Sequence, residues 1–380
     1  MERYDAIVLG IGGIGSAALY HAAKHGARVL GVDRFRPPHD RGSTHGQTRV
    51  IRQAYFEHPA YVPLLRESYS LWHDLEIYAG KKLFHQVGLV EIGPSHGTVV
   101  PGVLRAAEEH SLEIEWLLPQ QIMERWPGLR ATEGQVGVFE KAAGYLMVED
   151  CVAAHLNAAE AAGAEILIDT EVASWQAAGK DIVVRTTFGV ELAASRLIIT
   201  AGPWAGRMLA DLGVPLTVLR KPMFWFETPG QDYNVDRGMP VYLFELTDGV
   251  FYGFPRLDVR GVKVAEHSGG RLLHDPLAID RSVDPTEQRR LEKFVSAHLP
   301  GVKSHVTNHA TCLYTMSPDE HFIVDHHPTL PQVVFAAGLS GHGFKFAPAL
   351  GRALAEMALA GRTKLPLDFL SLDRFAPVKS

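Results

Sequence analysis

The sequence of 380 residues predicts an α/β fold in which two domains are interleaved along the chain. Two observations predict it. A strand–helix–strand unit with a glycine-rich turn occupies the first 33 residues, and its two strands should be parallel and buried. The strands that would complete its sheet come far downstream, around Ile198 and Val334, and β-rich sequence lies between them.

The composition is that of a globular chain with a large core, since 46% of the residues are hydrophobic and 21% are charged. The formal net charge of −6 argues against nucleic acid or an anionic membrane as a partner. Residues 6–23 are apolar but contain four glycines and lack a cationic start, so they fit neither a membrane span nor a signal peptide. The two cysteines, Cys151 and Cys312, form neither a disulfide framework nor a zinc motif, which predicts a cytoplasmic protein.

The elements follow from runs of apolar residues and from the glycines and prolines that bound them. In the first unit, residues 4–9 are a strand, 16–25 a helix and 28–33 a second strand, and a polar glycine-rich loop follows at 41–49. The later predictions, in chain order, are helix 59–75, strand 88–92, helices 103–110, 119–126 and 152–163, strands 171–175, 182–186, 191–192 and 196–202, β-rich sequence over 218–264, helix 285–299, strand 333–337, a glycine loop at 338–343 and a helix to about 360.

The turn Gly10-Ile11-Gly12-Gly13-Ile14-Gly15 has the spacing of a dinucleotide-binding motif. Its first glycine permits the tight turn, the second lets the backbone approach a pyrophosphate, and the third lets helix and strand pack closely. The helix N-terminus then faces the phosphates with free N–H groups. Asp33, 18 residues after Gly15, ends the second strand, where a carboxylate binds ribose hydroxyls and repels a 2′-phosphate. The motif alone does not separate NAD from FAD, but the interrupted sheet favours a flavoprotein whose flavin ring reaches into the second domain.

Four stretches of the sequence resemble the sarcosine oxidase and N-methyltryptophan oxidase family of flavin amine oxidases, in the D-amino-acid oxidase superfamily. They are the N-terminal motif through Asp33, residues 37–39 with 42–52, Tyr252-Gly253-Phe254-Pro255 with Lys263 and His267, and Cys312-Leu313-Tyr314 through Asp319-Glu320 into 338–346. The resemblance implies an FAD-binding Rossmann-like domain of the glutathione-reductase type over 1–80, 145–215 and 310–380. An interleaved β-rich α+β substrate domain would cover 81–144 and 216–309.

The same resemblance implies how FAD is held. The family attaches FAD covalently through a cysteine, and the residues that flank Cys312 match that pattern, whereas Cys151 is interpreted as a packing residue. An unmodified, buried Cys312 is the alternative. The other residues expected to bind FAD are Gly10, Gly12, Gly13, Ile14, Gly15, Asp33, Arg34, Gly42, Ser43, Thr44, Arg49, Val172, Ala201, Gly202, Trp204, Gly341, Gly343, Phe344 and Lys345.

The resemblance also assigns roles in catalysis. Arg52 and Lys345 would bind the carboxylate of an amino acid, and Arg49 would lie along the flavin face. Lys263 would be the site of oxygen activation, where a positive charge stabilises superoxide as it forms. His267 and Tyr252 would line the substrate pocket. By residue type alone, Arg49 and Arg52 are as consistent with surface arginines, and Lys263 with an outward-facing strand residue.

The expected reaction is oxidation of a small secondary amino acid such as sarcosine to the primary amino acid and formaldehyde, with O₂ reduced to H₂O₂. We expect a monomer whose activity rises with pH, because only the free amine is oxidised and nearby cations lower its pKa. The pair His326-His327 is the main suggestion of a metal, but adjacent residues of a strand face opposite sides, so no metal is expected.

Several alternatives stay open at this level. Gln47 and Phe56 depart from the pattern of the sarcosine enzymes, so N-methyltryptophan, pipecolate and other cyclic or N-alkyl amino acids remain candidate substrates. An FAD-dependent dehydrogenase would pass electrons to an acceptor other than oxygen. A non-catalytic dinucleotide-binding or tRNA-modification module is the third hypothesis.

Overall fold

The computed structural model describes residues 3–375, so residues 376–380, which end the third segment assigned to the FAD domain, lie outside the described residues. Within that range the helices are α1 (Gly13–Lys24), α2 (Val62–Ala79), α3 (Val99–His110), α4 (Pro119–Arg125), α5 (Val148–Ala161), α6 (Ala205–Met208), α7 (Pro285–His298) and α8 (Ala347–Ala360). The strands are β1 (Arg3–Leu9), β2 (Val29–Val32), β3 (Thr48–Ile51), β4 (Phe84–His85), β5 (Leu89–Pro94), β6 (Glu115–Leu117), β7 (Gln135–Glu140), β8 (Gly144–Met147), β9 (Glu165–Leu167), β10 (Val172–Ala178), β11 (Asp181–Thr186), β12 (Glu191–Ile199), β13 (Thr217–Phe226), β14 (Val241–Leu246), β15 (Gly249–Phe254), β16 (Val262–Glu266), β17 (Arg271–Leu273), β18 (Val306–Met316), β19 (Ile323–His327) and β20 (Leu330–Ala337).

The first sheet is built around β1, which lies between β2 and β12 and is parallel to both. Strand β9 continues the sheet beside β2. The first half of β12 pairs antiparallel with β11, and its second half pairs in parallel with β20, where Ile198 faces Val334. The prediction that these two downstream strands complete the sheet is therefore confirmed.

Burial explains why these segments form the sheet. Strand β2 and the second half of β1 are continuously apolar and buried, as strands covered on both faces must be. Helix α1 packs between α5 and α8 on one face. The approach to α8 is close because Gly351 lies against Ala17, and a Cβ at position 351 would come within 2.5 Å of the Ala17 Cβ.

The second sheet is mainly antiparallel and runs in the order β17-β13-β16-β15-β14-β5-β7-β6, with β18 also paired to β13. Helix α3 packs on β5 and β7, and α7 packs on β16. Helix α7 begins where Pro285 follows Asp284, whose carboxylate accepts hydrogen bonds from the backbone N–H groups of Thr286 and Glu287. A small third sheet, β3-β8-β4, is formed by strands that lie between β2 and β9 in the chain.

Several element predictions differ from the structure. The two strands predicted over 191–192 and 196–202 are one strand, β12, because the small residues between them are buried where β12 pairs with both of its neighbours. The loop predicted over 41–49 ends in β3, since Thr48 and Arg49 pair with β8. The predicted helix 16–25 begins three residues earlier, at Gly13. The segment around Cys312 had no predicted element, and it forms β18, which pairs along the whole of β13.

The pair His326-His327 lies on β19, and the two rings have separate partners. The His326 Nδ1 lies 3.1 Å from the Pro331 carbonyl oxygen, and the His327 Nε2 lies 2.7 Å from the Asp211 carboxylate. Across residues 3–375, no group of three or more His, Cys, Asp or Glu side chains is arranged to hold a metal ion. Among the helices described above, none has the length and apolar character that crossing a membrane requires.

Candidate active site

A long cleft opens at the carboxyl ends of the parallel strands of the first sheet. The turns that follow β1, β2, β12 and β20 all contribute to it, as expected for a ligand site in a sheet of this type. The residues of the predicted site that line it are Gly10, Gly12, Gly13, Ile14, Asp33, Arg34, Gly42, Ser43, Thr44, Arg49, Arg52, Val172, Ala201, Gly202, Trp204, Tyr252, His267, Gly341, Gly343, Phe344 and Lys345. Three others, Gly15, Lys263 and Cys312, lie behind the lining.

The glycine-rich turn has the geometry that its spacing predicts. Gly10 has a φ of +83°, and a Cβ there would lie 2.6 Å from the Thr200 carbonyl oxygen. A Cβ on Gly15 would overlap the Gly10 carbonyl oxygen, so only glycine allows helix α1 to approach the turn. Helix α1 has no side-chain cap and no acidic residue in its first turn. Its N-terminus is therefore free to bind an anion.

Asp33 is engaged by the turn that it follows. Its carboxylate accepts hydrogen bonds from the backbone N–H of Ile11 at 2.9 Å and of Phe35 at 3.0 Å. The His39 Nε2 lies 3.4 Å away. Asp33 thus holds the glycine-rich turn in place as well as lining the cleft. Its neighbour Arg34 forms an ion pair with Glu171 at 2.9 Å.

The donor set of the cleft fits an FAD molecule. An uncapped helix N-terminus suits the pyrophosphate, and the acid at the end of β2 suits a ribose. Further along the cleft, the Trp204 Nε1 and the Thr315 Oγ1 are buried and have no protein partner. Such orphaned polar atoms are costly unless a ligand or water satisfies them. The cleft thus offers unsatisfied hydrogen-bonding groups where a bound dinucleotide would pass.

Cys312 lies directly behind the cleft wall. Its Sγ is 3.1 Å from the Arg49 Nη2 and 3.3 Å from the Ser43 carbonyl oxygen, and both of those residues line the cleft. The side chain is buried in a small cluster with Met223 and Trp225. Cys151 instead packs in the main core of the first sheet, as the sequence predicts.

Arg52 lines the cleft and is held between two acidic side chains. Its Nη2 lies 2.8 Å from each carboxylate oxygen of Glu57, and its Nε lies 3.5 Å from Glu91. The guanidinium also lies 4.1 Å from the Tyr55 ring centre and 4.4 Å from that of Phe56. Burial acts to raise the pKa of Glu57, but Arg52 outweighs it and the pKa lies at about 2. At Glu91 burial prevails over Arg52 and raises the pKa to about 8.

Lys345 lies beside Arg52 and is also buried. Its Nζ donates to the His342 carbonyl oxygen at 2.8 Å and to the Tyr55 hydroxyl at 3.4 Å. Burial lowers the pKa of Lys345 to about 7, and Arg52 contributes to the lowering. The two cations that the resemblance assigns to carboxylate binding therefore share one end of the cleft.

Lys263 is buried on β16 and does not point into solvent. Its Nζ donates to the carbonyl oxygens of Gly46 and Thr48, both at 2.8 Å, and lies 4.1 Å from the Phe254 ring centre. Burial holds the pKa of Lys263 well below its usual value, and the neighbouring Arg49 lowers it further. The structure thus excludes the outward-facing alternative for this lysine.

His267 and Tyr252 both line the cleft, with ring centres 6.5 Å apart. The His267 Nδ1 lies 3.4 Å from the Tyr314 hydroxyl. Burial lowers the pKa of His267 to about 4, so the ring is neutral at neutral pH. Lys221 supports this region, since its Nζ donates to the carbonyl oxygens of residues 267, 268 and 269 at 2.7–3.1 Å.

Sequence reasoning missed several polar residues of the site: Tyr55, Glu57, Glu91, Lys221, Tyr314 and His342. One signal was present, because Glu91 is an acid between Val90 and Ile92 in a segment predicted to be a strand. An acid in such a run usually faces solvent, whereas Glu91 is 1% exposed. Its partner Arg52 is on a distant segment, so the sequence did not show that the acid is paired.

Comparisons with known proteins agree with the geometry. A family model described as "FAD dependent oxidoreductase" (DAO) matches residues 5–357. Monomeric sarcosine oxidase of Streptomyces avermitilis is 40% identical over 379 residues, which is 98% of both chains. The enzyme of that name from Arthrobacter sp. (strain TE1826) is 37% identical over 378 residues, covering 98% of this chain and 97% of that one. N-methyl-L-tryptophan oxidase of Yersinia pestis (strain Pestoides F) is 37% identical over 381 residues, covering 98% of this chain and 99% of that one.

Solved structures show the same fold at lower identity. NikD, described as an unusual amino acid oxidase essential for nikkomycin biosynthesis, superimposes in its open form with a TM-score of 0.85 at 24% identity and covers 98% of each chain. L-proline dehydrogenase from P. horikoshii gives a TM-score of 0.84 at 21% identity, again over 98% of each chain. The family model and the full-length relatives confirm the resemblance: this chain belongs to the DAO family of FAD-dependent oxidoreductases.

Proposed function

We propose that this chain oxidises a small N-methyl amino acid, with sarcosine as the first candidate and N-methyltryptophan as the second. The observation that carries the proposal is that two cations, Arg52 and Lys345, line the same dinucleotide cleft. Tyr252 and His267 also line it. Two adjacent cations in a buried pocket suit a carboxylate. The relatives named for these two substrates support the choice of amine.

In this proposal Arg52 and Lys345 bind the carboxylate, and the amine lies toward Tyr252 and His267. FAD, when bound, supplies the two-electron acceptor for oxidation of the C–N bond. The substrate loses two electrons and two protons, and water hydrolyses the imine to formaldehyde and the primary amino acid. O₂ takes up the two electrons and two protons as H₂O₂. Lys263 and Arg49 are proposed to stabilise the negative charge that forms on oxygen.

The test is to supply the purified protein with sarcosine and O₂ and to measure O₂ uptake, formaldehyde and H₂O₂. We expect one equivalent of each product per O₂ consumed. The same measurements with N-methyltryptophan, pipecolate and proline in place of sarcosine show which substrate is oxidised fastest. Reduction of a dye without H₂O₂ formation would contradict the oxidase assignment and indicate a dehydrogenase. No turnover of any secondary amine would contradict the proposal as a whole.

We also propose that FAD is attached covalently through Cys312. The contacts of its Sγ with Arg49 and with the Ser43 carbonyl oxygen support this, because both residues line the cleft. Acid precipitation of the wild type should leave the yellow colour in the pellet, and Cys312→Ser should release it into the supernatant. Cys151→Ser, which removes the other buried thiol, is the matched control and should keep the colour in the pellet. Free FAD released from the wild type would contradict the covalent link.

We propose the division into domains from the positions of the strands in the chain. The strands of the first sheet fall within 1–80, 145–215 and 310–380. Those of the second sheet fall within 81–144 and 216–309, apart from β18, which crosses position 310. The monomeric state and the cytoplasmic location stay predictions.

A further inference from the structure

A chain of three buried side chains ends at Lys345, and its hydrogen atoms can be assigned from the acceptors. The His342 Nε2 lies 3.0 Å from the Glu320 carbonyl oxygen. A carbonyl oxygen can only accept, so the Nε2 carries the proton and the Nδ1 has a free lone pair. The Tyr55 hydroxyl, 2.6 Å from that Nδ1, must therefore donate to it.

This assignment determines what Tyr55 offers to Lys345. With its proton directed to His342, the Tyr55 oxygen presents only lone pairs to the Lys345 Nζ, 3.4 Å away. The second partner of Nζ, the His342 carbonyl oxygen at 2.8 Å, is also an acceptor. The Tyr55 ring centre lies 5.1 Å from Nζ and adds the attraction of an aromatic face for a cation. All of these contacts favour the ammonium form of Lys345 over the neutral amine.

An ammonium has three donors, and these two acceptors use two of them. The remaining N–H is available to the cleft, which Lys345 lines. We propose that His342 and Tyr55 are positioning residues that keep Lys345 protonated, so that it can bind the substrate carboxylate. The proposal deepens the proposed function and rests on it, because it takes the carboxylate as the ligand of Lys345.

The charges around Lys345 show why such support is needed. The pKa of Lys345 lies at about 7, because burial lowers it and the charges of Arg52 and Arg49 add to the lowering. Glu57 and Glu91 act in the opposite direction. Burial lowers the pKa of His342 to about 3, so its ring is neutral at neutral pH. Its Nδ1 can therefore accept the Tyr55 proton across the physiological pH range. The lysine is thus close to losing its proton in the physiological range.

The experiment measures binding of acetate to the holoenzyme by titration calorimetry between pH 5.5 and pH 9. Tyr55→Phe keeps the ring and removes only the hydroxyl. Because a hydrogen bond to a charged group is worth about one pKa unit or more, the variant should bind acetate about tenfold more weakly than the wild type at pH 8. The two should converge at pH 5.5, where both lysines are protonated. With sarcosine, KM at pH 8 should rise about tenfold and kcat should change less than about twofold.

Tyr61→Phe is the matched control. The Tyr61 ring lies 5.0 Å from that of Tyr55 in the same aromatic cluster, but its hydroxyl contacts His321 and the backbone N–H of Phe322. This variant should follow the wild-type pH dependence. Glu91, whose pKa of about 8 lies in the measured range, is present in every variant, so its titration cancels in the comparison.

Two more variants make the result decisive. His342→Leu frees the Tyr55 hydroxyl to donate to a neutral Lys345, so it should show the same pH dependence as Tyr55→Phe. It provides the test if Tyr55→Phe does not fold. Lys345→Met should bind acetate weakly at every pH. If Lys345→Met binds acetate like the wild type, the proposed carboxylate role of Lys345 is wrong. If only Lys345→Met weakens binding, or if Tyr55→Phe weakens it equally at every pH, the positioning role alone is overturned.

Discussion

Arg52 balances the negative charge at the inner end of the cleft. Glu57 contacts it in bidentate fashion, and Glu91 lies behind it with one carboxylate oxygen that has no hydrogen-bond partner. A carboxylate ligand in the cleft would meet a cation that is already paired. Binding must therefore compete with Glu57, and the affinity of the cleft for a carboxylate depends on this internal ion pair as well as on Arg52 itself.

Removing Arg52 alone should be costly. Arg52→Met leaves the Glu57 carboxylate buried without its cation, and we expect the free energy of unfolding to fall by about 3 kcal/mol. Arg52→Met with Glu57→Gln should recover most of that loss, because the second change removes the stranded charge of Glu57. Urea denaturation of the holoenzyme measures both. Equal stability of the single and double variants would show that the pair contributes little.

At this scale the sequence predicted the residues that carry a recognisable pattern. Most of the glycine turn lines the cleft, and so do Asp33, Arg52 and Lys345. Tyr55 and His342 were not predicted, because their role depends on a contact between segments 287 positions apart. No local pattern marks a hydroxyl that meets an imidazole only after folding.

Helix packing against the first sheet depends on small residues at one crossing. A Cβ at position 351 of α8 would lie 2.5 Å from the Ala17 Cβ and 2.6 Å from the Ala18 backbone nitrogen. Helix α1 carries the glycine turn at its start. Any added volume at this crossing must therefore be absorbed by a shift of α1 or α8, and a shift of α1 would displace the glycine turn that lines the cleft.

Gly351→Ala should destabilise the protein by about 1–3 kcal/mol, the usual cost of overpacking a tight site. Gly206→Ala is the matched control, since Gly206 is an exposed helical glycine and its added Cβ would meet nothing closer than 3.8 Å. That change should be neutral or stabilising by up to about 1 kcal/mol. Thermal melts of the two variants compare them, and equal destabilisation would contradict the packing argument.

Most elements were predictable because burial imposes clear periodicities. The first strand–helix–strand unit and both return strands were expected from their apolar runs. Strand β18 was not, because its burial is irregular and it carries polar residues such as Asn308 and His309. Its position is determined by pairing with β13, which no sequence pattern expresses.

The molecule as a whole contains several histidines that folding keeps neutral. Burial lowers the pKa of His21, His155 and His342 to about 3, and that of His45 and His267 to about 4. An unfolded histidine has a pKa near 6.5. Below pH 6.5 these histidines therefore bind protons in the unfolded chain but stay unprotonated in the folded chain until the pH approaches 4.

The contribution of these histidines to stability should accordingly be full above pH 6.5 and decrease as the pH falls from there toward 4. Each such histidine contributes about 1.4 kcal/mol per pH unit in that window. His155 lies outside the cleft against Trp72, so His155→Phe should reduce the slope by about one proton. His274→Gln, at an exposed position, is the control and should leave the slope unchanged. Denaturation at pH 7.5, 6.5 and 5.5 measures the slopes, and an unchanged slope in His155→Phe would contradict the assignment.

Catalysis should also increase with pH, but over a higher range. We expect kcat for sarcosine to rise from pH 6 to a plateau above pH 8, because only the free amine is oxidised and the buried cleft lowers its pKa. Because Arg52 forms an ion pair with Glu57, it lowers the pKa of the substrate amine less than an isolated cation would. Steady-state measurements of kcat across the range test it. A kcat that is constant from weakly acidic to alkaline pH would count against the proposed amine chemistry.

The order of strands in the first sheet has a consequence for biosynthesis. Strand β1 is made first, but its partner β12 begins at residue 191, and β20 ends at residue 337. At about 5–20 residues per second, one edge of β1 waits roughly 10–40 s for its partner. Because the turns after all four strands form the cleft, we expect the nascent chain to acquire its dinucleotide only once nearly all of it has left the ribosome.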